Sequence, residues 1–337
     1  MSVTLRDVAL QAGVSTRTVS NVVNDFQHVA PETRERVQVA IRQLGYRPNL
    51  AARNLRRGRS GMIGVVLPEL DVPYFGELTR LIIEEARRHS YIVVIDQTDG
   101  DVDEERQLVL AGERSQLFDG LIFSPLSLSA QDLQQRTDGA PIVLLGEHVD
   151  KVPFDHIVID NVAAAMAATE HLIAVGRKRI AAIGDQPFFS GETAQYRTRG
   201  YRQAIEAAGR RYDPDLVIRT DRFHRGDGAA AMATLLERKR PPDAVFCYND
   251  LLAFGAMRTV LSAGLRVPED VAIVGFDDIE EGRYTTPTLT TISPDKGQIA
   301  RLAVQALLRR LDGKAGRPRT RLARFSLEVR ESTGGVG

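Results

Sequence analysis

The sequence has a single cysteine in 337 residues, Cys247, so no intrachain disulfide can brace the fold. It sits in an apolar run, AVFC, where a buried structural thiol is the expected role. No apolar stretch approaches the ~20 residues that span a bilayer. The N-terminus carries Arg6 and Asp7 and no apolar core, so no secretory leader is expected, and a cytoplasmic protein fits. The six histidines (28, 89, 148, 156, 171 and 224) show no ligand spacing, and no nucleophile–base pair, metal cluster or phosphate loop is visible. No catalytic residue, metal or cofactor is therefore expected. Charge of one sign is lacking too, with 44 basic and 44 acidic residues. Of the basic residues only 5 are lysines; the arginine bias can mirror a GC-rich genome.

That balance hides an asymmetry. Residues 1–60 hold ten arginines and four acids, a net charge of +6, leaving −6 for the remainder. A basic head on a mildly acidic body points to a polyanion met by the head alone. The length calls for two or three domains.

What is present begins with TLRDVALQAGVSTRTVSNVVN, residues 4–24. Leu5, Val8, Ala9 and Ala12 fall on one face of a helix. Thr4 and Asp7 make an acidic variant of the capping box, and Gly13 marks the exit. Ser15 can cap a second helix whose Val19, Val22 and Val23 face inward. Its outward side carries Thr16, Arg17, Ser20 and Asn21, side chains suited to base edges in a major groove. A third helix follows, with Pro31 at its start, Val37, Ala40, Ile41 and Leu44 as its stripe, and Gly45 at its end. Three stripes close one small core, which alone is marginal.

Residues 46–60 read YRPNLAARNLRRGRS. Asn49 can cap a short helix. Ala51, Ala52 and Leu55 make a small apolar face flanked by Arg53, Arg56 and Arg57. A solvated linker has no need of that face; a helix lying in a minor groove, with Leu55 as a wedge, does.

These stretches, with VIDN, DAVFCYND, GLRVPEDVAIVGFDD and TTPTLTTI further on, resemble the lac repressor/gal repressor family of bacterial transcription regulators. The matches run in family order from about residue 3 to 331. The resemblance implies two heads of a homodimer on double-stranded, pseudo-palindromic operator DNA. Thr16, Arg17 and Asn21 would read bases; Ser15, Thr18 and Ser20 would mostly touch phosphates. A hinge helix carrying Ala52, Leu55 and Arg56 would open the central step.

In the remaining chain, apolar runs at 62–67, 92–96, 120–124, 142–145, 157–159, 179–183, 216–219, 244–247 and 272–275 alternate with helical stretches such as 75–89, 161–175, 193–208, 250–263 and 298–311. This predicts parallel α/β sheets covered on both faces. The expected organisation is an all-α helix-turn-helix headpiece at 1–47, a hinge helix and linker at 48–60, and a two-lobed α/β domain like the periplasmic binding proteins at 61–337. That domain is expected to bind effector and to dimerise. The resemblance places lobe 1 at about 61–160 and 292–321 and lobe 2 at about 161–291 and 322–331.

In such sheets ligands sit beyond the carboxyl ends of the strands. Polar and aromatic residues gather there, a palette for a sugar: charged donors and acceptors for hydroxyls, flat rings for CH faces. By resemblance Arg197, Asn249 and Asp277 would hold sugar hydroxyls, and Phe75 and Phe223 would flank the ring. Glu147 and Thr193 complete the candidate set, and Asp250 is read as a cap for the helix that follows it. The purine-responsive branch has arginine at the position of Gly191 and tryptophan at that of Glu147. The expected function is a repressor of carbohydrate-utilisation genes switched by a sugar or sugar derivative. A nucleobase or nucleoside co-repressor is the alternative, and a transporter's solute-binding protein is a further one.

Overall fold

The computed structural model describes every residue except 1–2, 24–25, 27, 47–58, 110–116, 137–139, 148–151, 187–191, 315 and 336–337, and the side chain of residue 192. The expectations for Asn49, Ala52, Leu55, Arg56 and Gly191 fall outside the described residues. Contacts divide the chain into Met1–Ser60 and Gly61–Gly337.

The first unit holds three helices, α1 (Leu5–Ala12), α2 (Thr16–Val23) and α3 (Pro31–Leu44). α1 starts at a reciprocal box: the Asp7 N–H donates to Thr4 Oγ1 and the Thr4 N–H donates to the Asp7 carboxylate, 2.8 Å. Those bonds hold the Asp7 pKa below the ordinary carboxylate value. Gly13 and Gly45 end α1 and α3 at φ 63° and 62°, where a Cβ would be strained. Val8, Ala9, Ala12, Val19, Val22, Val37 and Ala40 form the buried core. Val23, Ile41 and Leu44 pack at its rim, half-exposed.

The second unit contains two six-stranded sheets. Lobe 1 is built from β1 (Met62–Leu67), α4 (Pro73–Arg88), β2 (Ile92–Gln97), α5 (Val102–Val109), β3 (Gly120–Phe123), α6 (Ala130–Gln134), β4 (Ile142–Leu145) and β5 (Asp155–Ile159). Lobe 2 continues with α7 (Asn161–Ala174), β6 (Ile180–Asp185), α8 (Glu192–Ala207), β7 (Val217–Arg219), α9 (Arg225–Leu236), β8 (Ala244–Cys247), α10 (Asp250–Ser262), β9 (Ala272–Phe276) and β10 (Thr290–Pro294). The chain then returns through α11 (Lys296–Leu311) and β11 (Thr320–Ala323), and crosses again into β12 (Phe325–Glu328). The strand orders are β11-β5-β4-β3-β1-β2 and β12-β10-β9-β8-β6-β7.

Strand alternation sorts the core of lobe 1. Ile63, Val65 and Leu67 of β1 share a cluster with Leu78 and Ile82 of α4 and with Ala303 and Leu307 of α11. Val66 joins Phe123 and Leu108 of α5 in a second cluster. Period-two alternation sends these neighbours to opposite faces, so the sheet is covered on both.

Two expectations are corrected. The lobe borders placed at 291/292 and 321/322 move, because β10 stays paired in the second sheet through Pro294 and β11 stays paired in the first through Ala323. The sheets are also not wholly parallel: β12 runs antiparallel to β10. The crossings thus lie at Asp160, Asp295 and Arg324. Asp160 caps α7 and Asp295 caps α11 through their carboxylates, at 2.9 and 2.7 Å. The second and third crossings are tied together, with the Asp295 N–H donating to the Arg324 carbonyl at 2.8 Å.

In lobe 2, α7 packs on α8 and α9 on α10 at close range. A Cβ on Gly228 would collide with the backbone of Leu252, and one on Gly255 with the carbonyl of Arg225. The sequence thus lets two helices approach backbone to backbone. Gly255→Ala should therefore destabilise the protein by about 1–3 kcal/mol, the usual cost of overpacking. Gly226→Ala, on the same helix pair but facing open space, should be neutral or slightly stabilising. Thermal melts followed by circular dichroism would separate the two; equal losses would contradict the packing account.

Candidate functional site

At the start of α2 the Ser15 hydroxyl accepts the Thr18 N–H at 3.1 Å and lies 2.9 Å from the Thr18 hydroxyl. Thr16 and Arg17 are exposed on the first turn, and Ser20 and Asn21 are half-exposed on the next. The buried valines Val19 and Val22 turn the opposite face inward. The helix thus presents short hydrogen-bonding groups and one arginine at its N-terminal end, the geometry that lets a helix enter a major groove.

In the second unit a cavity of about 310 Å³ opens between the lobes. Phe75, Glu147, Thr193, Arg197, Phe223, Asn249 and Asp277 all line it. Glu147, Phe223, Asn249 and Asp277 sit beyond the carboxyl ends of strands, Phe75 and Thr193 in the first turns of the helices that follow, and Arg197 one turn further along α8, as open α/β sheets dictate.

Arg197, only 7 % exposed, is the charged centre. Its guanidinium carbon lies over the Phe276 ring, 3.5 Å from the centroid. Nε donates to Asn161 Oδ1 at 2.8 Å and Nη1 donates to the Tyr248 carbonyl. Burial pulls its pKa down, and the Asp277 and Glu147 carboxylates push it back up. Burial likewise raises the pKa of Glu147, which the Ile159 N–H, Arg197 and the Asn161 amide offset. Glu147 accepts that N–H at 2.8 Å and faces the Thr193 hydroxyl across the cleft at 3.4 Å.

Asp277 has φ 115°, a conformation L-residues rarely adopt. Burial lifts its pKa to about 7, with Arg197 and Lys296 pulling it down. A raised acid pKa means that folding favours the protonated form. Its contribution to stability is complete below the ordinary carboxylate range and is lost as pH rises through about 7. At neutral pH the group can thus accept or donate a hydrogen bond to a ligand hydroxyl.

The rings are braced. Phe75 meets Tyr74 edge-on at 5.3 Å and Phe223 meets Tyr248 edge-on at 6.4 Å. Asn249 explains the second of these. Its Oδ1 accepts the Leu252 N–H at 2.8 Å, and its Nδ2 donates to the Phe223 carbonyl at 2.9 Å. Asn249, not Asp250, is thus the cap of α10, a correction to the sequence reading. Asp250 is fully buried and binds the Ile279 N–H and the Thr291 hydroxyl, at 2.9 and 2.6 Å.

Other groups at the cleft escaped the sequence reading. Phe276 lies just past the apolar run at 272–275, and the sequence reading gives it no role. Glu69 lies 2.6 Å from His224 Nε2 and 3.8 Å from Arg222, joining the lobes at the cavity wall. Their positions just beyond β1 and β7 were the available signal. Glu105, fully buried on α5, accepts the N–H groups of Leu126, Ser127 and Leu128 and so shapes a loop that lines the cavity. Nothing in its sequence context marks it. Among the described residues no group of His, Cys, Asp and Glu could hold a metal ion, and no helix is long and apolar enough to cross a membrane.

Residues 4–49 match the family of bacterial regulatory proteins known as the lacI family, and residues 169–333 match the periplasmic binding protein-like domain. The chain is 36 % identical over 335 residues to the HTH-type transcriptional repressor CytR of Escherichia coli (strain K12), spanning 98 % of this chain and 96 % of that one. The structure of the lac repressor dimer bound to operator and the anti-inducer ONPF superposes with a TM-score of 0.84 at 30 % identity, covering 99 % of each chain. The complex of the transcriptional regulator CelR with cellobiose superposes with a TM-score of 0.73 at 32 % identity, covering 98 % of this chain and 99 % of that one. A helix-turn-helix headpiece, a two-lobed α/β body and similarity over the whole length make this chain a DNA-binding transcriptional repressor of the lacI family.

Proposed function

We propose that this repressor binds a pseudo-palindromic operator as a homodimer and is switched by a sugar or sugar derivative in the inter-lobe cleft. The observation that carries the effector reading is Arg197 held over the Phe276 ring beside Asp277, in a cavity walled by Phe75 and Phe223. Vicinal hydroxyls take bonds from a fixed guanidinium and a carboxyl group, and CH faces lie on rings. The similarity to a cellobiose-bound regulator supports it. Two phenylalanines in the cavity wall equally suit a flat base, which favours a nucleoside or nucleobase as the second reading. Asn249 acts through Phe223 by holding its carbonyl. The switch is linkage: the factor by which effector changes operator affinity equals the factor by which operator changes effector affinity.

The dimer reading rests on β2. It is an edge strand of the first sheet, and Ile92, Val94 and Ile95 on it are exposed by 54, 39 and 38 %. An apolar edge of this kind is a liability unless covered, and a second copy of the chain would cover it.

A thermal-shift panel of cellobiose, ribose, purine and pyrimidine nucleosides and free nucleobases tests the effector. A binder present at 100 times its Kd stabilises by about 2.7 kcal/mol. A sugar should raise the melting temperature of the wild type and not of Arg197→Ala. A response to nucleosides or nucleobases alone would move the reading to the second class, and an undiminished response in Arg197→Ala would remove that residue from the site.

Leu55→Ala should weaken binding to a palindromic operator far more than binding to random duplex DNA, because a wedge acts only where the hinge seats; equal losses in a salt-matched binding assay would sink the assignment. Ile95→Lys should turn the dimer into monomer by analytical ultracentrifugation, and an unchanged sedimentation coefficient would place the interface elsewhere.

A further inference from the structure

Lys296 opens α11 immediately after the second crossing and is 11 % exposed. Its ammonium has three protons, and three acceptors surround it: the Asp277 carbonyl and the Asp278 carbonyl, each at 2.9 Å, and the Glu77 carboxylate. Glu77 belongs to α4, and its other oxygen accepts the Glu280 N–H at 3.1 Å. Lobe 1 thus offers one cation and one anion side by side. The cation takes two carbonyls and the anion one amide, all from a single loop of lobe 2.

That loop is unusual. Asp277 and the next residue, Asp278, both have positive φ, 115° and 47°, a conformation that costs free energy and persists only where the surroundings impose it. It brings two consecutive carbonyls within reach of one ammonium. Asp278 is fixed separately: its carboxylate takes bonds from Arg330, Arg283 and the Ser293 hydroxyl, which hold its pKa low against the opposing effect of burial. Among the described residues the Asp277 carboxyl receives no such side-chain hydrogen bond, so its position depends on the backbone that carries it.

We propose that Glu77 and Lys296 form a bracket from lobe 1 that grips the 277–280 loop of lobe 2 and so positions the Asp277 carboxyl in the cleft. The bracket sits beside the crossings, so rotation of one lobe on the other must stretch these bonds. It also ties Asp277 to α4, whose first turn carries Tyr74 and Phe75 into the same cavity, with Lys296 5.9 Å from the Tyr74 ring. Lys296 is a positioning residue that acts through Asp277. Its relevance to effector binding rests on the reading that Asp277 meets the ligand; the bracket itself does not.

The charged and titratable groups that face Asp277 are Arg197 on α8, Lys296 on α11, Glu77 and Tyr74 on α4, and Asp250 on α10. Removing the Lys296 charge leaves the acids with one cation fewer, so protonation of Asp277 becomes easier. The test is carboxyl-carbon NMR of the full-length protein labelled at aspartate, with the Asp277 signal assigned by its loss in Asp277→Asn. Lys296→Met should raise the Asp277 titration midpoint by one pH unit or more, a tenfold change in ionisation equilibrium, and Lys296→Arg should restore most of it. Lys296→Gln keeps a donor for the carbonyls without the charge and carries the same expectation if the methionine variant fails to fold. An unmoved midpoint in the folded uncharged variants overturns the bracket. The titration needs no effector. If the midpoint moves while Asp277→Asn responds to the sugar and nucleoside panel as the wild type does, the bracket stands and the assignment of Asp277 to the ligand site fails.

Discussion

The body of this protein is organised around a buried cation. A guanidinium removed from water needs partners for its protons and counter-charges nearby, or its desolvation cost dominates. Arg197 finds them from several directions at once: the Asn161 amide oxygen from α7, the Tyr248 carbonyl from the end of β8, the Phe276 face from the end of β9, and the Asp277 and Glu147 carboxylates around it. Glu147 comes from lobe 1 and the others from lobe 2 or the first crossing. A charge shared in this way makes the inter-lobe cleft responsive, because any ligand or rotation that alters one partner alters the balance for all.

The crossings let that balance be adjusted. Three strands of chain connect the lobes, two of them start helices with aspartate caps, and the second and third are hydrogen-bonded to each other. The crossings are thus anchored by hydrogen bonds at Asp160, Asp295 and Arg324. Further out, the Glu69–His224 and Glu147–Thr193 pairs join the two cavity walls. These are side-chain contacts on the cavity wall, so a ligand with its own polar groups can replace them hydrogen bond for hydrogen bond. Backbone contacts such as the Gly228–Gly255 helix approach are of a different kind and keep lobe 2 rigid.

Much of this was legible in the sequence, for identifiable reasons. The headpiece has strong local signals: a capping box at Thr4 and Asp7, left-handed glycines at 13 and 45, and short stripes of small apolar residues. The buried strands read clearly because both faces are apolar. What was hidden depends on tertiary context. β10, β11 and β12, with sequences TTISP, TRLA and FSLE, lack apolar runs because they lie near sheet edges or next to crossings, so the lobe borders slipped by two or three residues. All seven candidate cleft residues line one cavity, but their roles were not equally readable. Asn249 and Asp250 are adjacent polar residues before a helix, and either could cap it. Only packing shows that Asp250 is pulled inward to the Ile279 amide and the Thr291 hydroxyl, leaving the cap to Asn249. Glu105 was invisible because its partners are backbone amides, which carry no sequence signature.

The same contrast bears on how an effector could act. A ligand shifts a two-state equilibrium only by as much as it binds the states differently. Contacts confined to one lobe, such as stacking on Phe223, raise affinity without choosing a state. Contacts that need both lobes, such as a molecule touching Phe75 or Glu147 on one side and Arg197 or Asp277 on the other, exist only at one inter-lobe angle. On the effector reading proposed above, the groups that would discriminate include Glu147 and Arg197, whose existing partners already reach across the cleft, and any ligand lying against both Phe75 and Phe223 would discriminate as well. On that reading the ring-lined cavity would retain the ligand, and the buried Arg197, with partners from both lobes, would register its arrival.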